Sequence, residues 1–165
     1  MAKKLALKRY RPLIVIFLVV LAFTGYKMFA RASLEVAPAV LDFMGAFFIV
    51  VGAIKVYEID SFAKTFAKYD EIAKHAKLYA YMYPFIEISI GLAMLFNFEV
   101  LVVTWVALCL MLIDSVGSYQ GIKNPAVRTS ATLGTVFRIP LTWVTLGEDV
   151  LIAGLAVITL FYYYR

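Results

Sequence analysis

The stretch YAYMYPFIEISIGLAMLFNF, residues 79–98, decides the fold class of this chain. It is almost wholly apolar, and Glu87 is its only charged residue. About 20 apolar residues, at a rise of about 1.5 Å each, cross the hydrocarbon core of a bilayer. The stretch therefore predicts a membrane-spanning helix.

The rest of the chain has the same character. Its 165 residues are 64% hydrophobic and only 16% charged, whereas soluble domains average about 45–50% apolar and about 25% charged residues. The sequence predicts an all-α integral membrane bundle of four to five transmembrane helices. It forms a single transmembrane domain, residues 1–165, with spans at about 12–29, 38–57, 79–98, 100–117 and 145–162.

The net charge of +5 does not indicate nucleic-acid binding, because the basic residues cluster at the ends of apolar segments. The N-terminal tail and the segments 58–78 and 118–144 carry most of them. Five spans place these three segments on the same side of the membrane. The segments on the other side carry only Lys27, Arg31 and Arg165. The positive-inside rule then predicts a cytoplasmic N-terminus and a C-terminus on the outer side of the membrane. We expect the membrane to be a bacterial inner membrane, with the C-terminus in the periplasm.

The segment DSFAKTFAKYDEIAKHAK, residues 60–77, differs from the spans. Phe62, Phe66 and Tyr69 recur at helical spacing, and Lys64 and Lys68 lie on another face. This pattern predicts a short helix in the headgroup plane of the membrane. Histidine occurs once in the chain, and among the neighbouring lysines it is interpreted as a solvated loop residue.

Polar residues within the spans are costly in a bilayer and usually face a partner or a cavity. Tyr83 and Glu87 are four residues apart and share a helix face, and Gly91 extends that face so that a neighbour can approach closely. The second span has a matching face. Its members are Asp42, Gly45, Gly52 and Lys55.

We predict an ion pair between Lys55 and Glu87 across these two helices. A structural clamp is the favoured interpretation, because transporters carry more intramembrane polar groups than this chain. A proton, ion or ligand site is the alternative. Asp42, Tyr83 and Asp114 are further candidates for inward-facing positions.

The fifth span opens with the pattern T-x-x-E. Thr145 and Glu148 are predicted to form a capping box, and Asp149 also suits the positive end of the helix dipole. Helix capping thus explains the adjacent acidic residues Glu148 and Asp149 without a catalytic role. The chain has one cysteine, Cys109, which is interpreted as a small buried apolar residue, and no metal site is predicted.

Four blocks of the sequence carry a family resemblance. They are DFMGAFFIVVGAIKV, SFAKTFAKYDEIAK, YAYMYPFIEISIGLAMLFNF and LGTVFRIPLTWVTLGEDVLIAGLA. Together they resemble the MauE/DoxX-like family of redox-associated membrane proteins, related to methylamine utilisation protein E, from about residue 12 to the C-terminus. The resemblance implies a bundle of four or five spans. It also implies an accessory role near thiol redox chemistry, disulfide maturation or heavy-metal handling.

Relatives of this type carry Cys-x-Cys just before the Leu-Gly that matches Leu133 and Gly134. Here Ser130 and Thr132 stand at those places. A hydroxyl group does not form a thiolate nucleophile or cycle through a disulfide, and it is a poor ligand for soft metals. The loop is therefore interpreted as a vestigial redox site.

These observations favour a non-catalytic accessory protein of the MauE/DoxX-like type. The alternative is a structural subunit of a larger membrane complex, respiratory or photosynthetic, and a less favoured one is a small transporter using Glu87 and Lys55. Expected partners are membrane lipids and other membrane proteins, without nucleic acid. No cofactor is predicted, and the alternative is that the chain binds a lipid, a quinone or a pigment.

Overall fold

A computed structural model describes residues 11–32, 35–123 and 143–165. Its helices are α1 (Arg11–Arg31), α2 (Val36–Tyr57), α3 (Ile59–Phe66), α4 (Lys77–Leu95), α5 (Val100–Lys123) and α6 (Trp143–Tyr164). Within these ranges, five helices are long and apolar enough to cross a membrane, which leaves α3 as the short one. The predicted all-α class is confirmed. Helix α5 runs to Lys123, beyond the end predicted near Gly117.

Helix α2 is the centre of the bundle and contacts α1, α3, α4 and α6. Its core side chains include Leu41, Met44 and Phe48, each almost fully buried. Helix α1 packs mainly on α2 and buries only Ile16, Val20 and Thr24. Leu13 and Phe23 are partly buried against the core. Most of the other apolar side chains of α1 are exposed and form part of the outer surface, which in a membrane faces lipid.

Glycines allow α2 and α4 to pack in very close contact. A Cβ atom added at Gly91 would lie 2.6 Å from the Gly45 carbonyl oxygen, and one added at Gly52 would lie 2.9 Å from the Pro84 carbonyl oxygen. These distances leave no room for a side chain between the two backbones. The small-residue faces predicted on both spans do meet, as is typical of helix pairs in membranes.

The turn from α4 to α5 is tight. Asn97 has a φ of 53°, the left-handed conformation that often ends a helix. The Phe98 N–H donates to the Ala93 carbonyl at 2.8 Å, and the Asn97 N–H donates to the Met94 carbonyl at 3.1 Å. This Schellman arrangement satisfies carbonyls at the end of α4 and starts α5 alongside it.

The predicted short helix is present as α3, but its aromatic face packs on the bundle. Phe62 and Phe66 are buried, and the ring centroids of Phe66 and Tyr83 are 4.6 Å apart. Tyr69, which follows the helix, is also buried. The aromatic stripe thus covers α4 instead of entering the headgroups, and α3 closes one end of the α2–α4 pair.

Candidate intramembrane polar site

The structure brings Lys55 and Glu87 together, as the sequence analysis expected. The Lys55 Nζ atom lies 2.6 Å from Glu87 Oε1, and each side chain is only 3% exposed. The close approach of α2 and α4 at their glycines places the two residues at this distance. A buried pair of opposite charges favours one helix register, since separating the partners leaves an unpaired charge in an apolar interior.

Two aromatic rings complete the surroundings of the lysine. The Lys55 Nζ atom lies 4.7 Å from the centroid of the Tyr83 ring and 5.3 Å from that of Phe62. A cation over a ring face is attracted by the electron density of the ring, more strongly where water is excluded. Helix α3 therefore contributes to the site through Phe62, a residue that the sequence analysis had assigned to the membrane interface.

Tyr83 connects the ion pair to α5. Its hydroxyl donates a hydrogen bond to Asp114 Oδ2, and the Tyr83 side chain is fully buried. Two of the predicted inward-facing residues are thus partners. The other carboxylate oxygen of Asp114 and the Oε2 atom of Glu87 are buried without a hydrogen bond in the described part of the chain.

Helix α6 adds two more carboxylates. The Ser118 hydroxyl on α5 donates to Asp149 Oδ2 at 2.9 Å, and both Glu148 and Asp149 lie within electrostatic range of Lys55. Because α6 already includes Trp143, Thr145 lies inside the helix. The capping box predicted at Thr145 is therefore misplaced, since a capping residue must stand outside the helical backbone.

Asp70 joins this end of the bundle from the turn between α3 and α4. Its Oδ1 atom accepts hydrogen bonds from the Ile72 and Ala73 N–H groups at 3.0 and 2.7 Å. Burial raises the pKa of the Asp70 carboxyl, and these two bonds oppose the rise. A Cβ atom at Gly117 would lie 3.3 Å from the Asp70 Cα atom, so the turn packs directly on α5.

The opposite end of the bundle holds a separate ionic cluster. Asp42, only 3% exposed, pairs with Arg31 and lies 3.4 Å from Lys27 Nζ. Lys27 and Arg31 are four residues apart on α1, so they share a face directed at α2. The sequence predicts that Asp42 faces inward, but it indicates only an orienting role for Lys27 and Arg31, which the structure shows to be its partners.

Cys109 does not occupy the buried position that the sequence predicts for it. Cys109 is exposed on the outer surface of α5, and no group of three or more potential metal ligands occurs in the ranges that the structure describes. The predicted vestigial redox loop is Ser130, Thr132, Leu133 and Gly134, and all four lie outside the described residues. His75 is exposed, in agreement with its assignment as a solvated residue.

An apolar groove of about 420 Å³ opens between α1, α2 and α6. Phe17, Phe43 and Leu155 are among its lining residues, and Thr24 is the one polar residue among the lining residues that the structure describes. The Thr24 hydroxyl is already used, because it donates to the Val20 carbonyl at 3.0 Å. The groove thus offers apolar contact without a free donor on its described walls.

Comparison with known proteins identifies the family to which this chain belongs. The family model described as methylamine utilisation protein MauE matches residues 34–162, which is more than half of the chain. The match covers α2 to α5 and most of α6, and so includes every residue of the polar site. No curated protein and no solved structure gives a significant match. The chain is an integral membrane protein that belongs to the MauE family.

Proposed function

We propose that this chain is a non-catalytic membrane accessory protein that assists thiol redox or disulfide maturation on a partner. The observation that carries the proposal is the MauE match, which spans almost the whole bundle. The family takes its name from a methylamine utilisation protein. We define the partner by one chemical property: it is a protein that carries the reactive cysteines.

The cysteine content supports a role without its own thiol chemistry. A dithiol cycle needs two cysteines, and this chain has only Cys109, which lies on the outer surface of a membrane span. We infer that Ser130 and Thr132 occupy the positions of a lost Cys-x-Cys pair. Ser130 and Thr132 lie in the sequence between α5 and α6, and the ends of these helices nearest to them in sequence carry Ser118 and Asp149 of the polar site.

The test compares the redox state of membrane-protein cysteines in cells that lack the protein and in complemented cells. Differential alkylation and mass spectrometry should find one protein whose disulfides fail to form without this chain. Complementation with the Cys109→Ala variant should restore them fully, because the chain supplies no thiol. An unchanged cysteine profile in the deletion strain would remove the redox role, and failure of the alanine variant would assign the chemistry to Cys109.

A structural subunit of a larger membrane complex is the second candidate. The outer surface favours it, because many large apolar residues are exposed there, including Phe17, Phe29, Trp105, Trp143 and Phe161. Exposed apolar surface within a membrane contacts lipid by default. This candidate therefore requires a stoichiometric protein partner on that surface, which native purification detects.

We also propose an orientation in the bacterial inner membrane, with the N-terminus cytoplasmic. In the Cys109→Ala background, Lys68→Cys and Phe96→Cys place single thiols at exposed positions on opposite ends of the bundle. A membrane-impermeant maleimide should label the Phe96→Cys protein on intact cells. It should label the Lys68→Cys protein only after permeabilisation, and the reverse pattern would invert the orientation.

Membrane lipid is the proposed occupant of the groove between α1, α2 and α6. An acyl chain needs only apolar contact, which its described walls supply. A quinone headgroup or a pigment would call for a polar partner to fix its orientation. We therefore assign no redox cofactor to the groove.

A further inference from the structure

Within the described residues, three carboxylates at this end of the bundle have a buried oxygen without a hydrogen-bond partner: Asp70, Glu87 and Asp114. Glu87 and Asp114 lie on membrane-spanning helices. Glu87 is 2% exposed, and its Oε1 atom is paired with Lys55. Asp114 accepts the hydrogen bond of Tyr83 through Oδ2. Within the described residues, Glu87 Oε2 and Asp114 Oδ1 are buried and have no partner. The Tyr83 hydroxyl, bonded to Asp114, also lies within interaction range of Glu87.

Negative groups outnumber positive ones in this region. Lys55 is within electrostatic range of four carboxylates, those of Glu87, Asp114, Glu148 and Asp149. Among the described residues, only Glu87 of these four forms an ion pair. Several ionised carboxylates around one ammonium group are costly in a bilayer interior. A proton on one carboxyl removes a negative charge without any rearrangement of the helices.

We propose that Glu87, Tyr83 and Asp114 form an intramembrane proton-binding site in which Asp114 takes up and releases the proton. In the loaded state, the proton is covalently bound to Asp114 Oδ1, the oxygen without a partner, and Tyr83 still donates to Oδ2. In the empty state, that O–H bond has broken and the proton has passed to water. The Lys55–Glu87 ion pair persists in both states, so uptake changes the net charge of the site by one.

The groups that surround Asp114 set the balance between its two forms. Glu87 on α4, Asp149 on α6 and Asp70 in the α3–α4 turn place negative charge near Asp114. Lys55 on α2 places positive charge near it, and the Tyr83 hydroxyl donates a hydrogen bond to it. Among the described residues, Tyr79 is a further titratable side chain near Asp114. Opposing contributions of this kind suit a group that exchanges its proton reversibly.

This proposal goes beyond the accessory role, which is argued without the polar site. The full chain in lipid nanodiscs is titrated across the neutral range and followed by infrared difference spectroscopy. The wild-type protein should show the C=O stretching band of a buried protonated carboxyl, and Asp114→Asn should remove it. Asp60→Asn is the matched control, since Asp60 accepts a hydrogen bond from the Tyr81 hydroxyl at 2.9 Å but is solvent-exposed.

Two further variants keep the test decisive if Asp114→Asn does not fold. Glu87→Gln removes a neighbouring negative charge, so the band should titrate about one pH unit lower, a tenfold loss of proton affinity. Tyr83→Phe removes a hydrogen bond to the ionised form, so the midpoint should move upward and the band frequency should shift. The proposal is overturned if wild type shows no such band, if Asp114→Asn retains it, or if neither variant moves the midpoint.

Discussion

The Gly91→Ile variant is expected to lose the folded bundle. The first atom of the new side chain would lie 2.6 Å from the Gly45 carbonyl oxygen and 3.0 Å from the Ile49 backbone nitrogen. Backbone atoms cannot rotate away, so α2 and α4 must separate. Overpacking of a core costs about 1–3 kcal/mol and more where backbone obstructs. We expect a loss of at least about 3 kcal/mol in the free energy of unfolding, because the central helix pair is disrupted.

The measurement is unfolding in mixed micelles with increasing denaturing detergent, followed by circular dichroism and by the fraction that stays monodisperse. Gly154→Ile is the matched control, because a Cβ atom at Gly154 on α6 meets nothing within 4 Å. That variant should unfold like the wild type. Equal stability of the two isoleucine variants would show that α2 and α4 are not in close contact in the membrane protein.

The Lys55→Met variant is expected to be the second most damaging change. Removing one partner of a buried ion pair typically costs about 3–5 kcal/mol, because the other charge stays in the interior unpaired. Glu87→Gln should cost less, since Lys55 keeps Asp114, Glu148 and Asp149 within electrostatic range. The double variant Lys55→Met with Glu87→Leu should recover most of the loss, as apolar replacements of buried pairs often do.

A pair at the surface provides the control for this cycle. Lys74 Nζ lies 2.9 Å from Glu71 Oε1, with side chains 33% and 46% exposed. Water screens such pairs, which are typically worth about 0–1 kcal/mol. Lys74→Met should therefore change the denaturation midpoint little. If Lys55→Met and Lys74→Met behave alike, the Lys55–Glu87 pair does not act as a clamp on the helix register.

The central helix pair could be predicted from the sequence for a simple physical reason. On each of the two spans, a charged residue and small residues share one helical face. Only one relative placement of the two helices brings the charged residues together and, at the same time, brings the small residues into contact with the facing helix. Gly52 and Lys55 on α2 therefore meet Pro84 and Glu87 on α4. Length and hydropathy were also sufficient for the five long helices, because the bilayer fixes how long an apolar segment must be.

Other features depend on packing that helical periodicity does not encode. Phe62 belongs to an amphipathic face, and the same pattern suits a lipid surface or a neighbouring helix. Asp42 could have met any basic residue near its end of the bundle. The choice of Lys27 and Arg31 follows from α1 packing on α2. The T-x-x-E pattern at Thr145 lies inside α6, which already includes Trp143. Such a local pattern indicates a possible start of a helix but does not prevent the helix from beginning earlier.

Purification of the protein from its native membrane in a mild detergent tests the accessory role most directly. Co-purifying proteins are identified and quantified by mass spectrometry, and an absorption spectrum is recorded. The proposed function predicts cysteine-bearing partners in substoichiometric amounts and no pigment bands. A large complex in fixed one-to-one stoichiometry with this chain would contradict it and assign the protein a structural place in that complex.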